Sequence, residues 1–151
     1  MKRIRRSLAR LAELSGADRR LLVEALWWFT LARLTVLVVP FRRLSTNLRS
    51  RKPVVGPDRV DDDLLDQVAW AVASAANRTA AKNSCLPRAI AAKKMLHRRG
   101  VGSSLSLGVM RGEGGALEAH AWLRVGGRTV TGGEDDDGRY TTVTIISDEK
   151  R

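Results

Sequence analysis

A chain of 151 residues, 44% of them apolar, holds one domain of ordinary size or a small catalytic core with a helical extension, and excludes two large domains. Its single cysteine, Cys85, excludes an internal disulfide and points to a reducing, cytosolic compartment where the thiol stays free. The net charge of +11 is uneven: residues 1–52 carry 13 Lys/Arg against 3 Asp/Glu, and residues 53–151 are nearly balanced. Such a basic segment suits nucleic acid, anionic lipid, an acidic protein surface or plain solvent, and charge alone does not choose among them.

In chain order, Ile4, Leu8, Leu11 and Leu14 at helical spacing among five Lys/Arg predict a short basic amphipathic helix ending near Gly16. A second and longer helix is expected over residues 19–39, with Asp18 helping to start it, Leu22, Leu26, Phe29 and Leu37 near one face, and Pro40 stopping it. Its apolar length approaches the roughly 20 residues of a membrane span. Glu24 and Arg33 weigh against a span, because an ionised residue near mid-bilayer costs on the order of 2.5–3.5 kcal/mol, so peripheral membrane contact is the secondary reading. No small-residue cleavage site follows the apolar stretch as a secretory signal would require. Residues 42–56, basic and broken by Pro53 and Gly56, read as a connection. The predicted organisation is therefore a helical extension over 1–52 and a catalytic domain over 53–151.

The acid-rich run from Asp58 to Asp66 suits the first turn of a helix that carries Val60, Leu64, Leu65 and Val68 to about Ala76. Asp61, Asp62 and Asp63 fan around that helix and do not converge on a metal ion. Next, Ser84 is a plausible N-cap, Cys85 the first helical residue and Pro87 a harmless first-turn proline, in a helix running to Gly100. Period-two patterns over 103–110, 118–125, 128–131 and 140–146 then predict strands, with Gly126-Gly127 as a hairpin turn. Helices followed by an antiparallel sheet make an α+β fold.

A lone cysteine is more often a small buried hydrophobe than a nucleophile. Position changes that weighting here, since a helix N-terminus offers unpaired N–H groups and a positive dipole end that favour a thiolate. His120, at a predicted strand, is the candidate base; His97 lies 12 residues beyond Cys85 on one helix, about 18 Å away at 1.5 Å per residue. One cysteine and two histidines are too few for a structural zinc of ordinary type, and no cofactor is expected. An acceptor for the second ring nitrogen is available in Glu134-Asp135-Asp136-Asp137. A strict two-residue turn sets His120 opposite Gly133 and puts Thr131, Gly133 and Asp135 on the histidine's face; a bulge hands the role to Glu134.

Cys85-Leu86-Pro87-Arg88-Ala89, then Leu96-His97-Arg98-Arg99-Gly100-Val101, then Glu118-Ala119-His120-Ala121-Trp122-Leu123 resemble, in order and spacing, the transglutaminase-like leader peptidases of lasso peptide biosynthesis. The likeness spans roughly residues 60–146, and the segment ending Pro40-Phe41-Arg42-Arg43-Leu44 is similar too. It implies a papain/transglutaminase-like core and a cysteine protease that removes the leader from a ribosomal precursor before a separate cyclase closes the ring. Cys85 is then the nucleophile and His120 the base. The acid of the family's pattern falls at Gly132, which leaves Glu134, Asp135 or a dyad without an acid. No winged-helix pattern precedes the protease, so the split form and a separate leader-binding protein are implied.

Two other readings stand beside it. The same Cys–His pair could pass an acyl group to an amine, as a transglutaminase does. A pI near 11.1 fits a nucleic-acid-binding module, against which stand 5% aromatic residues and a nearly neutral C-terminal half, so no nucleic-acid partner is expected.

Overall fold

A computed structural model describes residues 14–48, 60–79, 85–133 and 139–148. Four helices, α1 (Gly16–Val38), α2 (Phe41–Leu48), α3 (Asp62–Arg78) and α4 (Cys85–Arg98), precede four strands, β1 (Ser104–Arg111), β2 (Leu117–Val125), β3 (Arg128–Thr131) and β4 (Thr141–Ser147). The amphipathic helix expected over the first residues, the Ser84 cap and the acidic run 134–137 lie outside the described residues.

Helix α1 starts where side chains replace missing backbone partners. Ser15 Oγ accepts from the Asp18 N–H at 3.1 Å and donates to the Asp18 carboxylate at 2.7 Å. Leu22, Ala25, Phe29 and Ala32 form its buried face, packed on α3 and α4. Leu37, expected on that face, is 78% exposed, because it turns toward the side of Val23 and Leu34 while Val36 and Val39 pack on the core. Residues 42–48, expected as part of a connection, belong to α2: Leu44 and Leu48, one turn apart, are both buried, and the Thr46 hydroxyl donates to the Arg42 carbonyl.

Asp61 caps α3 by accepting from the Asp63 N–H, and Asp62 and Asp63 fill its first turn. Its inner face of Leu65, Val68, Ala71, Val72 and Ala75 is small enough for close approach to its neighbours. Asp62 and Asp66 on the outer face both pair with Arg128 of β3, which ties the hairpin to the helix.

The sheet is antiparallel in the order β3-β2-β1-β4. Leu105, Ala121, Leu123 and Ile146 share a core with the helices; His120 and Trp122 alternate to the opposite face. The predicted turn at Gly126-Gly127 is present, with Val125 opposite Arg128. A bulge follows at once, so that Leu123 pairs with Thr131. That one-residue slip moves Thr131 onto the face of Leu123 and away from the histidine's, contrary to the unbroken register.

One polar cluster is buried between helix and sheet. Lys93 of α4 donates to the Ser103 carbonyl at 2.9 Å and pairs with Asp148 at 2.8 Å, and Asp148 also accepts from the Ser103 N–H. Burial holds the ammonium below the ordinary lysine range, and the hydrogen bond and charge of Asp148 act against that shift. Asp148→Ala strands this cation, and we expect urea denaturation to show a loss of about 3–5 kcal/mol, much of it recovered when Lys93→Met is added.

Candidate active site

Cys85 is the first residue of α4, and Pro87 falls in the first turn, where the ring removes an N–H that no helical carbonyl would have met. The thiol is free, half-buried and packed against the helix–sheet core. At the other end of the helix, Arg99 donates to the Met95 carbonyl and to Glu24 of α1, and Gly100 takes a left-handed φ of 73° that lets the chain turn toward the sheet. His97 lies in that last turn, far along the helix from Cys85, as its spacing predicts.

His120 stands on β2 opposite Gly108 of β1, at a level that β3 no longer flanks. Its ring is held in two ways. Nε2 lies 3.0 Å from the carbonyl oxygen of Gly132, which can only accept, so Nε2 carries the proton and Nδ1 is the basic nitrogen of the neutral ring. The ring face stacks on Trp122, with centroids 6.1 Å apart and planes at 21°, and the Tyr140 ring lies at 5.1 Å. Trp122 in turn needs Gly108: a Cβ there would stand 2.8 Å from the indole. Sequence reasoning passed over Gly108 and Tyr140. A glycine inside a strand is the signal that could have found the first, because it marks a close approach; the chain's only tyrosine, Tyr140, carried none.

The structure thus brings together His120, Trp122, Tyr140 and Gly132. It packs the helix that begins at Cys85 against the strand that carries His120. The Nε2 hydrogen bond goes to the Gly132 carbonyl. Glu134 and Asp135, the acids considered for the third role, lie outside the described residues. Among the described residues no group of three or more His, Cys, Asp or Glu stands close enough to hold a metal ion.

Helices stacked on an antiparallel sheet, with a cysteine opening one helix and a histidine on the sheet, make a domain of mixed helix and antiparallel sheet. The match of residues 26–145 to the model of the transglutaminase-like superfamily agrees, and the chain belongs to that superfamily, which includes cysteine peptidases. No curated protein and no solved structure matches the chain.

Proposed function

We propose that the protein is a cysteine peptidase that removes the leader from a lasso peptide precursor. The observation that carries this reading is Cys85 at the first position of α4, in a superfamily of cysteine-dependent enzymes, with the Cys-Leu-Pro-Arg, Arg-Arg-Gly and His-Ala-Trp motifs in family order. His120 Nδ1 accepts the thiol proton and the thiolate attacks the scissile carbonyl. The imidazolium returns the proton to the departing amine, leaving an acyl-enzyme that water hydrolyses to free acid and thiol. An amine in place of water would give acyl transfer instead. Incubating the protein with the precursor encoded beside its gene, with and without the neighbouring leader-binding protein, and weighing the products separates the outcomes: two fragments for hydrolysis, an amine adduct for transfer, an unchanged precursor against the proposal.

The partners of this reaction are the precursor, a separate leader-binding protein and a macrolactam-forming cyclase, in the cytosol. Helix α1 offers a surface for the leader-binding protein. Val23, Trp27, Leu34 and Leu37 lie within one exposed stripe opposite its buried face, and Arg19, Arg20, Val23, Trp27 and Arg98 line a groove at its start. By length and apolar composition α1 could also cross a membrane, while Phe29 and Ala25 are fully buried against α3 and α4. Reversing Arg3, Arg5, Arg6 and Arg10 to Glu is expected to weaken the leader-binding protein's affinity roughly tenfold or more at low salt, and added salt to reproduce the loss in the unaltered chain. Alkylation of Cys85 should keep its rate. Calorimetry across a salt series checks the first; unchanged binding with collapsed alkylation would place the segment in the catalytic core.

A further inference from the structure

We infer that the main-chain carbonyl of Gly132 orients the catalytic imidazole, at the position where the resemblance leads one to expect a carboxylate. The catalytic consequence rests on the peptidase reading above; the geometry does not. A neutral imidazole has one N–H to give, and that of His120 is given at Nε2 to Gly132, 3.0 Å away. Nδ1 then holds the lone pair that must take the thiol proton. A carboxylate able to direct the ring by accepting from Nε2 would have to displace this carbonyl, and one at Nδ1 would compete with the thiol.

The local backbone explains why position 132 is glycine. Its φ of 79° lies in the left-handed region, and a Cβ would stand 2.5 Å from the Ala121 carbonyl oxygen and 3.0 Å from Trp122 Cα. No L-side chain, an aspartate included, enters here without moving β2. The chain after β3 instead lies flat against Ala121 and Trp122, and that close approach aims the Gly132 carbonyl at the ring of His120. The bulge at Leu123 and Arg124 belongs to the same device, since it shifts β3 by one residue just before Gly132. Stacking on Trp122 and the nearby Tyr140 limit ring rotation, so the Gly132 carbonyl meets a ring already held in place.

The test is read at the imidazole itself. In the full-length protein with ¹⁵N-labelled histidine, at a pH where the ring is neutral, the expected result is a slowly exchanging ring proton on His120 Nε2. That proton should show cross-relaxation to the Gly132 and Gly133 Hα protons. It should persist in the double variant Glu134→Gln/Asp135→Asn and disappear in Gly132→Ala. With precursor, Gly132→Ala should lower kcat at least about tenfold with little change in KM, a split that simple loss of stability would not produce. A ring proton on Nδ1 in the unaltered protein, or an Nε2 proton lost when the two acids are neutralised, overturns the inference. Those two measurements decide it even where Gly132→Ala does not fold. An intact Nε2 proton in a protein inert toward every precursor would overturn the peptidase reading and leave the positioning role in place.

Discussion

Replacing Cys85 with alanine is expected to abolish leader removal, lowering the rate by at least about 10⁴-fold, while the fold survives. In the proposed reaction the thiolate supplies the covalent step, and no other cysteine exists to replace it. The structural cost is small: the side chain is half-buried at the end of a helix, and its loss removes one heavy atom, which sets an expected penalty of roughly 1 kcal/mol. Cys85→Ser should be equally inactive, since a hydroxyl at this position is a far weaker nucleophile. Product masses after incubation with precursor, beside circular dichroism and urea denaturation, check both halves. Iodoacetamide provides a second reading, because a half-exposed thiol should be alkylated in the folded protein. Activity retained in Cys85→Ala, or alkylation seen only after denaturation, would mean that the cysteine serves packing alone.

His120→Ala is expected to be nearly as damaging, because in the proposed reaction nucleophile and base act as one unit and their losses are not additive. The variant removes the ring that stacks on Trp122 and leaves the Gly132 carbonyl without its donor, so a stability loss of about 1–2 kcal/mol should accompany the loss of rate. His97→Ala should stay within about twofold of the unaltered enzyme, since at 1.5 Å per residue its backbone lies about 18 Å from Cys85. Steady-state rates for the two variants, measured with the same precursor, decide the ranking. The reverse order would mean that the helix and the strand do not supply the pair.

These two results connect to the chain after β3. If His120 is the base, its usefulness depends on which nitrogen is unprotonated, and the Gly132 carbonyl favours the proton on Nε2. An imidazolium formed during the reaction would gain stabilisation from that dipole and from the aromatic faces.

Much of this architecture was legible locally. Helix α4 begins at Cys85 because a proline in its first turn leaves few other starts, and it ends at Arg98 because Gly100 alone there takes φ of 73° without strain. The hairpin at Gly126-Gly127 and the strand β3 over Arg128–Thr131 follow from turn chemistry and period-two alternation, both of which act between near neighbours. Cys85 and His120 stood out for similar local reasons, one by its place at a helix start and the other by the exclusion of His97 through spacing.

What tertiary structure alone decided lies where distant segments meet. Leu37 and Leu26 obey the same helical period as Leu22, yet only contact with α3 and α4 determines which of them is buried. Residues 41–48 carry a basic, loop-like composition and become helical because Leu44 and Leu48 find the core. The bulge after Arg124 reverses the facing of Thr131, and no residue type near it announces the slip, since strand register is set by the neighbouring strand and by the core it must face. The partner of His120 was hidden for the same reason: motif reading looks for side chains, and Gly132 contributes a carbonyl whose direction depends on a backbone lying against Ala121 and Trp122.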